Sequence, residues 1–283
     1  MNEGITLLTM AAGSSVRYGT SKQLETFGKH GLTIAEYNIL DAISAGFTNF
    51  VLVIRQQMAD IFHRRLADLI PSDCTFSLVY QREERELCKY CNRTKPWGTG
   101  HAVLSAKSVI HGNFGLANAD DLYGNNAMQV LANFLRTAGE NSTVFANVSY
   151  GIAGTLSATG AVSRGVMSAD GDGNLVQIAE HSVSFRGGKI YSDGGIEFVH
   201  DTPVSMNLWG FTAKVFDILG EQWTQFTKNI ANPTSDEFFL SSAIDAMVRN
   251  GKCKVRVLRT NSRWCGITHP EDRSKLEKYF QQM

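Results

Sequence analysis

ITLLTMAAGSSVRYGTSKQL, residues 5–24, decides how the rest of the chain is read. Its apolar run, Ile5 to Met10, reads as a buried strand. The strand passes at once into small residues, Ala11, Ala12, Gly13, Ser14 and Ser15, and then into a spaced Arg17 and Lys22. Small residues let main-chain N–H groups approach an anion closely, and glycine takes φ > 0 without steric cost. An ordinary strand-to-helix turn uses the same small residues, but two cations within one loop add charge suited to a polyphosphate. The stretch is neither G-x-x-x-x-G-K-[ST] nor G-x-G-x-x-G.

Outward from that loop, strand and helix patterns alternate. Thr33 caps a helical pattern (Ile34, Tyr37, Leu40, Ile43) that stops at Gly46. Strands are expected at 49–54, 75–80, 114–119 and 143–149, with helices at 56–70, 99–109 and 127–136 between them. Residues 81–98 form a charged connection. The alternation predicts an α/β fold, Rossmann-like, with a mostly parallel sheet flanked by helices. After residue 150, Gly-rich β-like pieces run to about 212 and predict an inserted antiparallel β-rich lobe. Helices near 213–228 and 236–250, a strand at 253–258 and a helix from about 270 to 281 complete one continuous domain, 1–283. Its halves divide near residue 150.

The chain has 283 residues, 43% hydrophobic and 19% charged, with 27 basic and 27 acidic side chains. That balance leaves no global basic field for nucleic acid or a membrane surface. No stretch approaches the length of a membrane span and no basic region precedes the first apolar run, so a cytoplasmic location is expected. Cys74, Cys88, Cys91, Cys253 and Cys265 are scattered and odd in number, which predicts reduced thiols. Cys88 and Cys91 form a lone C-x-x-C without the further ligands a zinc site needs.

Two more stretches carry chemistry. In KPWGTGHA (95–102) a proline and the glycines 98 and 100 set a tight path into a helix start. Such a path serves equally as a capped helix start or as a reader of a flat base, with Gln81 as a bidentate amide. In FGLANADDLYG (114–124) an apolar strand ends in Asp120 and Asp121. In wound sheets ligands bind at the carboxyl edge, and Mg²⁺ needs only one or two protein carboxylates plus substrate phosphates. A solvated acidic turn has the same sequence.

MAAGSSVRYGTSKQ resembles the signature loop of the sugar-phosphate nucleotidyltransferases, L-A-A-G-x-G-[ST]-R followed by Lys, with Ser15 in place of the second glycine. KPWGTGHA is similar to that family's K-P-x-G-T-x-x-A base-contacting segment, and NAD (118–120) to its N-x-D metal motif. RGVMSADGDGNLVQIAEH (164–181) is similar to G-V-V…D-x-x-G-x-V-x-x-I-x-E-K, with His181 where the family often has Lys. VSMNLWGF (204–211) and WCGITHPEDR (264–273) follow in the family's order. A His is only partly charged at neutral pH, so that departure bears on phosphate affinity or substrate identity.

The resemblance implies an enzyme joining a nucleoside triphosphate, UTP or dTTP favoured, to a sugar 1-phosphate with release of pyrophosphate. It implies catalytic roles for Arg17, Lys22 and Asp120, and nucleotide contacts from Ala11, Ala12, Gly13, Ser14, Ser15, Gln81, Gly98 and Thr99. Gly165, Glu180, His181 and Asn207 would face the sugar phosphate. Asp120 would hold Mg²⁺, with Asp272 or His269 as the second ligand. A cytidylyltransferase acting on phosphocholine or a polyol phosphate, and a nucleotide-binding regulator without catalysis, are the alternatives. Nothing in the sequence sets an oligomeric state.

Overall fold

The computed structural model describes residues 4–13, 24–81, 93, 95–157, 160–266, 273, 276–277 and 280. Its first strand, β1 (Ile5–Met10), is buried along almost its whole length. Neighbouring residues face different cores: Leu7 packs with Ile39, Phe50 and Leu131, and Leu8 with Val53, Val103 and Leu116. That double burial is why the strand reads as a continuous apolar run.

Helix α1 (Ile34–Ser44) starts at a capping box, where the Thr33 hydroxyl accepts the Glu36 N–H and the Glu36 carboxylate accepts the Thr33 N–H. Gly46, at φ 88°, turns the chain out of it. Then come β2 (Phe47–Ile54), α2 (Ala59–Leu69), β3 (Thr75–Tyr80), α3 (Thr99–Ser105), β4 (Phe114–Asn118), α4 (Asn125–Thr137) and β5 (Val144–Gly151). The lobe strands are β6 (Val162–Ala169), β7 (Leu175–Arg186) and β8 (Lys189–Ser192). The chain continues through β9 (Pro203–Phe211), α5 (Lys214–Lys228), α6 (Leu240–Arg249) and β10 (Lys254–Arg259).

The main sheet runs β3–β2–β1–β4–β9–β5–β10. All of these strands are parallel except β9, which is antiparallel to both its neighbours. A second ribbon, β6–β7–β8, is antiparallel and joins the main sheet through β9. Strand β9 thus changes neighbour along its length: Val204 and Ser205 pair with β6, while Trp209 to Phe211 pair with β4. The irregularity falls between Ser205 and Trp209.

Helix α3 is shorter than the expected 99–109. Tight turns (Ala106 N–H to Val103 C=O, Lys107 N–H to Leu104 C=O) carry the chain off the helix axis after Ser105. Of the expected last helix, Arg273, Leu276, Glu277 and Phe280 are described, all helical. Phe280 stacks on Tyr37 at 4.0 Å, and Leu276 joins it in a cluster with Phe27, Ile34 and Leu122. Among the described residues no helix is long and apolar enough to cross a membrane. Cys74, Cys253 and Cys265 are free thiols, and burial pushes the Cys253 thiol up to about 12.

Candidate active site at the carboxyl edge of the sheet

Because β1, β2, β3 and β4 are parallel, their C-terminal ends share one edge of the sheet. Pairing runs past the strands: Ala11 donates to the Val53 carbonyl (2.8 Å) and Ala119 to the Met10 carbonyl (3.1 Å). Asp120 therefore follows directly beside the start of the small-residue loop. Ala11 and Ala12 are buried and Gly13 is exposed. Arg55, the first residue after β2, donates to the carbonyls of Ala12 (3.0 Å) and Gly13 (2.6 Å). With the Ala12 carbonyl turned to Arg55, the trans peptide directs the Gly13 N–H the opposite way. Ser14, Ser15, Arg17, Lys22, Asp272, His269, Cys88 and Cys91 lie outside the described residues.

Gln81 stands at the same edge, its N–H bonded to the Ile54 carbonyl. Its side-chain Nε2 lies 3.2 Å from the Gly98 carbonyl and 3.2 Å from His101 Nδ1. A carbonyl can only accept, so the amide atom facing it is the nitrogen. Both amide hydrogens are thereby used inside the protein, and only the oxygen remains for a ligand. The bidentate amide expected from the sequence is corrected to a single acceptor. The two glycines beside it have a packing reason. A Cβ on Gly98, at φ 96°, would sit 2.6 Å from the Phe238 carbonyl oxygen, and one on Gly100 would sit 2.6 Å from the Phe238 ring. The Thr99 hydroxyl accepts the Leu240 N–H at 2.9 Å.

Asp120 is half-buried in the turn after β4, with Asp121 next to it. The Asp121 carboxylate turns back to accept from Asn118 Nδ2 (2.7 Å). Burial first, and then the charge of Asp120, hold the Asp121 carboxyl above the usual carboxylate range, against the Asn118 donor and the Arg164 charge. Asn38, fully buried in α1, braces the turn: its Nδ2 donates to the Asp121 carbonyl (2.7 Å) and its Oδ1 accepts the Tyr123 N–H (3.2 Å). The Tyr123 hydroxyl accepts the Asn118 N–H (3.0 Å) and donates to the Met206 carbonyl (2.8 Å). It thus ties the acidic turn to the irregular part of β9. Burial raises the Tyr123 phenol well above its ordinary value, so it stays a donor. Cys265 and Gly266 pair with Leu122 and Asp121.

Two adjacent carboxylates, one held up by burial and then by the other's charge, suit a cation. Asp120 lies at the carboxyl edge, in the turn beside the start of the Ala11–Gly13 loop. Among the described residues no group of three or more His, Cys, Asp or Glu side chains could hold a metal.

Asn207 sits where β9 changes neighbour and has φ 60°, the only positive φ outside glycine among the described residues. Asparagine tolerates that conformation better than most residues. Its N–H reaches the Ser205 hydroxyl (3.3 Å), which also accepts from Asn147 Nδ2 (2.8 Å). The Trp209 indole can only donate, so the amide atom 3.3 Å from it is Oδ1, which leaves the Asn207 NH₂ as a donor for a ligand. Gly165 pairs with both Glu180 and Ser205, so the lobe residues and β9 meet here. A Cβ on Gly165 would lie 3.1 Å from the Ile178 side chain. Glu180 and His181, consecutive on β7, leave the strand on opposite faces. Glu180 accepts from Ser163 (2.6 Å) and lines a cleft with Ser241, Ser242 and Asp245. His181 packs edge-on to Phe198 at 5.6 Å. The structure therefore does not bring these two side chains together.

The model of the nucleotidyl transferase family matches residues 16–279. The chain belongs to that family. Two curated relatives, both named bifunctional protein GlmU and both from Methanococcus maripaludis, are 23% identical over 192 and 190 residues, 68% and 67% of this chain. Those matches span only 38% and 37% of the relatives' own length. Similar solved folds include an inositol-1-phosphate CTP transferase from T. maritima (TM-score 0.64, 15% identity, 100% of this chain and 97% of that one). A UDP-glucose pyrophosphorylase complexed with UDP-glucose has a TM-score of 0.61 at 16% identity, over 99% of both chains. One from Acinetobacter baumanii has 0.62 at 16%, over 98% of this chain and 97% of the other.

The nucleotidyltransferase positions its edge with residues that motif reading passes over. Arg55 had one signal, a cation immediately after a predicted strand; Asn38 had none, and Tyr123 and Trp209 read only as members of apolar stretches. Replacing Tyr123 by Phe should lower the unfolding free energy by about 1–3 kcal/mol, because the Asn118 N–H and the Met206 carbonyl lose their buried partner. Urea denaturation checks this, and an unchanged midpoint would show that the hydroxyl holds nothing.

Proposed function

We propose that this nucleotidyltransferase joins UTP or dTTP to a sugar 1-phosphate, giving a nucleoside diphosphate sugar and pyrophosphate. The observation that carries the choice of base is the Gln81 amide, whose free group is an acceptor. Uracil and thymine carry an N–H at ring position 3, whereas cytosine carries a lone pair there. The sugar-phosphate acceptor rests on the motif order along the chain and on the donor that Asn207 offers.

In the reaction, an oxygen of the sugar phosphate attacks the α-phosphorus in line. The bond from that phosphorus to the β-phosphate oxygen breaks, and the electron pair leaves on pyrophosphate. Arg17 holds the leaving phosphates, and Lys22 neutralises charge at the α-phosphate. Main chain at Ala11 to Ser15, with Gln81, Gly98 and Thr99, seats the nucleoside. Gly165, Glu180 and Asn207 serve the sugar phosphate, while His181, expected to join them, leaves β7 on the face opposite Glu180. Asp120, with Asp272, would hold Mg²⁺, which when bound neutralises phosphate oxygens. In this reading residues 1–150 form the nucleotide half and 151–283 the sugar-phosphate half of one domain.

The CTP transferase of similar fold favours a second reading, CTP-dependent transfer to a polyol phosphate. Pyrophosphate release with Mg²⁺ from UTP, dTTP and CTP, each with glucose 1-phosphate, inositol 1-phosphate or phosphocholine, separates the two. Release with UTP or dTTP and the sugar phosphate is expected; release only with CTP would move the assignment to the second.

A further inference from the structure

We infer that His101 sets the base preference by fixing which end of the Gln81 amide faces the ligand. The role rests on the reading above, in which Gln81 meets the base. His101 is buried, and its Nδ1 lies 3.2 Å from Gln81 Nε2. The Gly98 carbonyl already forces that amide atom to be the nitrogen, so Nδ1 must accept. The imidazole is therefore neutral with its proton on Nε2. Its ring is held in place by Trp223, 4.7 Å away and itself packed against Trp97 and Phe238.

Two acceptors, one carbonyl and one imidazole nitrogen, divide the two amide hydrogens between them. With both present, turning the amide over would place its oxygen against two acceptors. With His101 lost, only the Gly98 carbonyl opposes that flip, and a flipped amide offers N–H groups that suit cytosine at ring position 3. His101 is thus a positioning residue that acts through Gln81.

The test measures kcat/KM for UTP and CTP with glucose 1-phosphate in the wild type and in Gln81→Leu, His101→Phe and His101→Asn. The preference for UTP should fall about tenfold in Gln81→Leu and by a similar factor in His101→Phe. His101→Asn, which can present an oxygen near the same place, should keep most of it. Equal losses for both nucleotides in His101→Phe, or an unchanged preference there beside a reduced one in Gln81→Leu, would make His101 a packing residue and leave the reading of Gln81 intact. An unchanged preference in Gln81→Leu would remove that reading and the inference with it. Should His101→Phe fail to fold, ¹⁵N shifts of His101 in the wild-type protein decide: an unprotonated Nδ1 supports the inference and a protonated Nδ1 overturns it.

Discussion

Asp120→Ala is expected to reduce pyrophosphate release at least about 10³-fold at ordinary Mg²⁺ concentrations, the loss that several kcal/mol of charge stabilisation implies. The side chain is half-buried in the turn after β4, so its removal should leave the fold in place. Asp121→Asn is the internal comparison. That carboxyl already turns inward to Asn118, and an amide in its place can keep a hydrogen bond there. Its effect should be about 10–100-fold, the range for residues that orient a metal ligand. Near-wild-type turnover in Asp120→Ala, or a larger loss in Asp121→Asn than in Asp120→Ala, would reassign the ligand.

Asn207→Asp should lower kcat/KM about 10²-fold, mostly through the sugar phosphate, with unfolding free energy held within about 0.5 kcal/mol. Aspartate tolerates the left-handed conformation and keeps an oxygen for the Trp209 indole. It removes the NH₂ donor and sets a negative charge where a phosphate ester would lie. Asn207→Gly makes the complementary change. It keeps the backbone but leaves the buried Trp209 N–H without its acceptor, at a cost of about 1–3 kcal/mol. Asn207→Ala should cost about 1 kcal/mol more, from φ 60° with a Cβ present. Steady-state kinetics with varied sugar phosphate, read beside denaturation curves, check the set. Full activity in a folded Asn207→Asp would remove the side chain from the substrate site.

The alternation of apolar strands and amphipathic helices up to residue 150 was legible because each element's period is local. The neighbour relation of β1 and β4, which puts Asp120 beside the loop at Ala11–Gly13, follows from the observed pairing. What sequence could not reveal is long-range. The Asn38 bracket on the acidic turn joins residues 83 and 85 apart, and the Tyr123–Met206 bond joins residues 83 apart. Gly98 and Gly100 looked like base-reading glycines, and Phe238, whose backbone and ring demand them, lies far along the chain. Orientation was equally hidden: Gln81 reads as an amide with two ends to offer until Gly98 and His101 take one of them.

The antiparallel β9 has a consequence for how the chain can be made. It fills the slot between β4 and β5, which both precede it in sequence. Until residues 203–211 leave the ribosome, the sheet of a nascent chain ends at the unpaired edge of β4, and β5 has no partner strand, since it pairs only with β9 and the still later β10. Adding β9 to join them is a late, non-local step with a large loop-closure entropy, of the kind that makes folding slow and partly folded chains prone to associate. Asn207, the residue proposed for the sugar phosphate, sits on β9 where the strand changes neighbour, so its placement waits on this same late step.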